Sequence, residues 1–162
     1  PEVVFLDEPT IGLDPVAARE LRQVIKGLKD SGKTVFLTSH YMFEIDALCD
    51  RVAVLSKGKI LTVDTPSALK KLVADLEVVE IECFGAPASV IEKLREHPRV
   101  DSVNVETREQ VQVLQIQAPA GHELVQDFLR ILDGVRVSKV VTRQPTLEDA
   151  YVKLVGKEAM QT

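Results

Sequence analysis

The sequence predicts an α/β fold in two parts, a portion of a parallel sheet over residues 1–76 and a small α+β domain over residues 77–162 built as βαββαβ with a final helix. Three observations carry this. The apolar run Val3-Val4-Phe5-Leu6 stops at Asp7-Glu8, as a buried parallel strand does when it presents acids at its carboxyl edge. A second apolar run follows one helix-length stretch later, which makes a strand-helix-strand unit. Beyond residue 76 the pattern changes to short alternating runs separated by two helical stretches.

Asp14-Pro15 opens the first helix, an N-cap followed by proline at the first helical position. Leu21, Val24, Ile25 and Leu28 recur at helical spacing until Ser31-Gly32 ends the run. Thr34-Val35-Phe36-Leu37-Thr38 is the next strand, so residues 2 to 38 should hold two parallel strands. His40 then stands at a strand's carboxyl end, like Asp7 and Glu8. Met42, Ile45 and Leu48 mark a short amphipathic helix, and residues 51–65 read as a hairpin turning at Ser56-Lys57-Gly58-Lys59. Thr65-Pro66 caps another helix, with Leu69, Leu72 and Val73 on one face.

The second part reads as strand 77–84, helix 87–97, strand 100–106, strand 110–117, helix 121–132 and strand 135–142, the ferredoxin-like order. Alternation in Val100, Val103 and Val105, in Val111, Val113 and Leu114, and in Val135, Val137, Val140 and Val141 suits a half-buried antiparallel sheet. A last helix follows Pro145, with Thr146 at its N-cap and Asp149 three residues on as a capping box.

With 162 residues, 45% of them hydrophobic, the chain is long enough for one ordinary domain or two small ones. A net charge of −5 and the lack of a basic run argue against nucleic acid as a partner. Cys49 and Cys83 lie far apart with no C-x-x-C spacing, and read as buried free thiols of a reducing compartment. No apolar run approaches the roughly 18 to 20 residues that span a bilayer, and no signal-peptide pattern opens the chain. Direct membrane insertion is therefore not expected, and any membrane role must go through a partner. Tyr41 and Met42 read as helix packing, and Lys57 and Lys59 as solvated turn residues. His97 and His122 fall in expected loops with no partners at ligand spacing, and carry no assigned function.

An Asp-Glu pair alone is more often a solvated surface pair. Here it continues as Asp7-Glu8-Pro9-Thr10, then Gly12-Leu13-Asp14-Pro15, then Thr38-Ser39-His40 after the second strand. This series resembles the second half of the ATP-binding subunit of an ABC transporter, a P-loop NTPase: the Walker B segment, the D-loop and the switch histidine, in that order. No stretch of the form G-x-x-x-x-G-K-[ST] occurs, so the phosphate-cradling Walker A loop and its lysine are missing from these residues. The Q-loop and signature segment are missing too, and the sequence is expected to be a carboxyl-terminal fragment. Residues 77–162 resemble the accessory domain of a subfamily of bacterial ABC exporters, including those for daunorubicin-type drugs. The close Thr146-Leu147-Glu148-Asp149-Ala150-Tyr151 is similar to that subfamily's ending.

ATP hydrolysis needs a divalent metal on the β- and γ-phosphates and a group that aims water at the γ-phosphorus. Two carboxylates diverging at a strand end suit these two jobs. The resemblance implies that Asp7 serves Mg2+, through a water, that Glu8 polarises the attacking water, and that His40 contacts the γ-phosphate. A lone histidine would otherwise be read as structural. It also implies that the loop Gly12-Leu13-Asp14 crosses a dimer interface to couple two ATP sites, although Thr10-Ile11-Gly12 departs from the commoner serine-containing loop. Asp14 serves as an N-cap whether or not a partner is present. The implied cofactors are ATP and Mg2+; the implied partners are a second ATP-binding subunit, as a homodimer, and a membrane-spanning permease. The implied location is cytoplasmic, peripheral at the inner face of the cell membrane. In that family a central strand would lie between strand 34–38 and strand 52–55, leaving Val35, Phe36, Leu37 and Val54 beside a gap here. Two rival functions stand beside this one. A non-catalytic regulatory or partner-binding module, with residues 77–162 as its working part, fits the missing phosphate loop; a soluble ATPase of the same superfamily acting on ribosomes or DNA fits the acidic balance less well.

Overall fold

In the computed structural model residues 1–159 are described, so the last three residues assigned to the second domain, 160–162, lie outside the described residues. The chain divides into two compact units, Pro1–Leu69 grouped with the chain from Leu154, and Lys70–Lys153.

The first unit opens with β1 (Val3–Asp7), α1 (Pro15–Asp30) and β2 (Thr34–Thr38). β1 and β2 pair in parallel with Asp7 opposite Thr38, which sets the two carboxyl ends side by side. The helix between them is fixed at both ends by local chemistry. Asp14 Oδ1 accepts from the amides of Val16 and Ala17 at 2.9 and 3.0 Å, with Pro15 opening the first turn. At the other end Gly32 takes φ +79°, its amide reaches Lys29 O at 2.9 Å and the Lys33 amide reaches Leu28 O at 3.1 Å. That pair of bonds is the Schellman closure, which favours glycine at the left-handed position.

Two strands expected to be buried are open on one face. Val4, Leu6, Val35 and Leu37 are half-buried, but Phe5 is 73% exposed and Phe36 59%, their rings 5.5 Å apart. Side chains alternate across a strand, and α1 packs on β2 from one face only, so the odd-numbered positions of β1 meet no cover among the described residues. On α1, Ala18 and Ile25 form the buried stripe while Val24, expected on it, is 58% exposed, because it lies about 100° round the helix from Ile25 and so to the side of the stripe.

Next come α2 (Met42–Leu48) and a hairpin of β3 (Val52–Ser56) and β4 (Lys59–Asp64). The turn residues Lys57 and Gly58 have φ of 46° and 76°, the mirror-image two-residue turn that matches strand twist. β1–β2 and β3–β4 form separate sheets. Of the four residues expected beside a gap, Val54 is buried, Val35 and Leu37 are half-buried and Phe36 is exposed. Thr65 Oγ1 accepts from the Ala68 amide at 3.1 Å and starts α3 (Pro66–Lys71). Leu69 and Val73 are buried; the helix ends at Lys71, so Leu72, expected on the same face, lies beyond it and is 47% exposed.

The second unit holds β5 (Leu76–Phe84), α4 (Ala88–Arg95), β6 (Ser102–Arg108), β7 (Val111–Pro119), α5 (His122–Ile131), β8 (Arg136–Arg143) and the start of α6 (Leu147–Ala159). Its sheet runs β6-β7-β5-β8 with every neighbouring pair antiparallel, the ferredoxin-like order read from the sequence. Val79, Ile81, Leu114 and Ile116 face Leu94 of α4 and Leu124 and Phe128 of α5 in one core. His97 lies in a loop with its ring edge-on to Phe128, 5.7 Å between centroids; His122, expected in a loop, is the first residue of α5. Cys83 is buried and Cys49 half-buried, both free, and burial pushes both thiols up from their ordinary value.

The capping box at α6 is half of a larger network. Asp149 Oδ2 accepts from the Thr146 amide at 2.7 Å, and the two Asp149 oxygens also accept from Arg143 Nη1 and Nη2 at 2.7 and 3.1 Å. Arg143 Nε donates to Glu80 Oε1 at 2.7 Å, tying β5, β8 and the start of α6 together. Burial opposes the Asp149 charge, but Arg143 and Thr146 outweigh it and hold the carboxyl below its ordinary value. A depressed carboxyl stabilises above its unfolded value, near about pH 4, and the contribution is lost as pH falls through the folded value. Asp149→Asn should therefore cost about 2 kcal/mol at neutral pH and flatten the acid limb of the stability curve. Urea melts between pH 3 and 7 measure this; an unchanged acid slope would contradict it.

Candidate functional site

The parallel pairing of β1 with β2 brings Asp7, Glu8 and His40 to one sheet edge. Asp7 ends β1, and its Oδ1 accepts a very short hydrogen bond from Thr38 Oγ1, its register partner. Glu8 follows with φ +45°, a left-handed backbone uncommon for a residue with a side chain. Its amide donates to Thr38 O at 3.1 Å and approaches Thr38 Oγ1 at 3.0 Å. The left-handed step turns the Glu8 side chain toward the end of β2. There Glu8 Oε1 lies 3.1 Å from His40 Nδ1, and Oε2 accepts from the His40 amide at 3.3 Å. With Nδ1 engaged by Glu8, the Nε2 nitrogen is the one left to meet a ligand.

Both side chains are solvent-accessible, His40 more than Glu8. Tyr41, expected to pack as part of its helix, instead precedes α2, is exposed, and lies against the His40 ring with centroids 4.2 Å apart. An exposed aspartate at a strand's end fits Mg2+, which takes one or two carboxylates and completes its shell with phosphate oxygens and water. Among the described residues no cluster of three or more His, Cys, Asp or Glu could hold a metal without such outside ligands.

Gly12, Leu13 and Asp14 lie on the turn between Glu8 and α1, away from the Glu8–His40 contact in sequence but joined to it by a short loop. Gly12 has φ +77°, where a side chain would be strained, and Leu13 is exposed. Asp14 is held by the two amides it caps, which lower its carboxyl below the ordinary value.

Sequence reasoning missed Glu44, which is buried and bonded to Thr10, Ser39 and Arg22. Its signal was position: Glu44 adjoins Ile45 and stands four residues before Leu48, which places an acid on the apolar face of α2.

No family model matches the chain. It is 34% identical over 98% of its length to a fluoroquinolones export ATP-binding protein of Mycobacterium tuberculosis, covering 45% of that protein. It is likewise 34% identical, over its whole length, to the daunorubicin resistance ATP-binding protein DrrA2 of Streptomyces coeruleorubidus, covering 50% of it. An ABC transporter ATP-binding protein of Synechocystis sp. is 30% identical over the whole chain, which covers 42% of it. Over nearly its whole length the chain is similar to ABC transporter ATP-binding proteins. It spans about half the length of the curated ABC relatives it matches. Among its described residues no helix is long and apolar enough to cross a membrane.

Proposed function

We propose that this chain supplies the water- and metal-handling edge of an ATPase that drives an ABC exporter. The observation that carries the proposal is the Glu8–His40 pair, 3.1 Å apart at the carboxyl ends of adjacent parallel strands. Ligands of open α/β sheets bind at that edge. The printed names of the relatives, export and resistance ATP-binding proteins, support the same reading.

In this account Asp7 would hold Mg2+ through a water, and the metal when bound would supply charge neutralisation for the phosphates. Glu8 accepts hydrogen bonding from the attacking water and polarises it toward the γ-phosphorus. Glu8 also fixes the His40 ring through Nδ1, so that Nε2 is presented to the γ-phosphate. Gly12, Leu13 and Asp14 form the contact with a second ATP-binding subunit, and a membrane-spanning permease receives the motion at the inner face of the membrane. Residues 77–162 form an accessory domain, whose described residues bring together no catalytic constellation.

His40→Ala tests the assignment, in the protein that carries this chain together with a phosphate-binding loop. Turnover of Mg-ATP should fall roughly a hundredfold while nucleotide affinity changes little, because the imidazole meets the γ-phosphate late in the reaction. A variant with wild-type kcat would remove His40 from the mechanism.

A further inference from the structure

We propose that Glu44 is a positioning residue for the Glu8–His40 pair, an inference that rests on the hydrolytic reading of that site. Glu44 lies on α2 and is 1% exposed. Its Oε1 accepts from Arg22 Nη1 of α1 at 2.8 Å. Its Oε2 accepts from Thr10 Oγ1 at 2.9 Å and from Ser39 Oγ at 3.3 Å. Thr10 stands two residues after Glu8, and Ser39 one residue before His40. One buried carboxylate therefore ties the loop that carries Glu8 to the loop that carries His40.

The backbone at Glu8 shows why such a tie is needed. A non-glycine residue at φ +45° persists only where its surroundings over-determine it. On one side Thr38 holds the Glu8 amide. On the other, Ile11 N closes a turn on Glu8 O at 3.2 Å, and Thr10 inside that turn is anchored by Glu44. Ser39 Oγ, bonded to Glu44, also accepts from the Tyr41 amide at 3.0 Å and so shapes the chain on both sides of His40. A buried ion pair is a poor source of stability, since apolar residues often replace one without loss, and what this one fixes is the placement of two loops.

Glu44→Gln separates positioning from packing. Its single carbonyl can accept from Thr10 only by turning its amide group toward Arg22, where donor meets donor. In the protein that carries a phosphate-binding loop, Glu44→Gln should lower kcat roughly tenfold with little change in KM for Mg-ATP. Thr10→Val, which keeps the volume and loses the donor, should do the same. Ile45→Val, a core change on the same helix that leaves the network intact, should keep wild-type kcat. Wild-type kcat in both Glu44→Gln and Thr10→Val, or an equal loss in Ile45→Val, would overturn the proposal. If Glu44→Gln does not fold, Thr10→Val decides alone, a tenfold loss supporting the proposal and an unchanged rate overturning it. Glu8→Gln run alongside distinguishes the two levels. If it turns over normally, the hydrolytic reading fails and the role of Glu44 falls with it; if it is inactive while the Glu44 network variants are normal, only the role of Glu44 fails.

Discussion

Glu8→Gln, in the protein that carries this chain together with a phosphate-binding loop, is expected to bind Mg-ATP and dimerise with it, yet to turn it over about 10² to 10⁴ times more slowly. The substitution is nearly isosteric. Glu8 Oε2 accepts from the His40 amide and Oε1 lies against His40 Nδ1. A glutamine carbonyl can keep the first contact, and its amide can donate to Nδ1 once the ring carries its proton on Nε2. The loop and ring therefore stay in place while the negative charge that polarises water is lost. Binding should survive, since the phosphate-binding loop would hold the phosphates, and the ATP-bound dimer should accumulate. Sedimentation of the variant with Mg-ATP measures the dimer, and a variant that stays monomeric under conditions where it binds ATP would contradict the dimer part of the account.

Phe128→Ala should have the largest effect on folding. Phe128 is fully buried on α5, at the centre of the core made with Ile81, Leu94, Leu114 and Ile116. Truncating a buried phenylalanine costs about 3–5 kcal/mol, against a whole-domain stability of about 5–15 kcal/mol. The edge-on His97 ring loses its partner as well. Hydrogen exchange of the β5 and β7 amides in the full chain reads the loss, which should appear as protection reduced by two orders of magnitude or more, about 3 kcal/mol converted at 1.4 kcal/mol per decade. Protection equal to wild type would mean that this unit does not depend on that core.

Much of this was legible because short-range chemistry decided it. Asp14-Pro15 and Gly32 bracket α1 as read, Lys57-Gly58 turns the hairpin, and the βαββαβ order emerges as the β6-β7-β5-β8 sheet. What sequence hid was sidedness and long-range pairing. Phe5, Phe36, Val24 and Leu72 are apolar but exposed, since apolarity alone does not say which face of an element is covered. Asp7, Glu8 and His40 stand out in the sequence through their places at strand ends together with the motif series they belong to. Their contact depends on the Asp7–Thr38 register and on the left-handed backbone of Glu8, which no propensity announces in a non-glycine residue. Glu44 and the Arg143–Glu80–Asp149 network join residues far apart in sequence, so only the folded chain displays them.

The central claim, that Glu8 at the β1 edge drives the chemical step, is tested most directly by single-turnover phosphate release. Wild-type protein and Glu8→Gln, each carrying a phosphate-binding loop, would be mixed with saturating Mg-ATP and followed for inorganic phosphate. Release is expected from the wild type and none above background from Glu8→Gln over the same interval, with ATP still bound to the variant. Release from Glu8→Gln at the wild-type rate would contradict it.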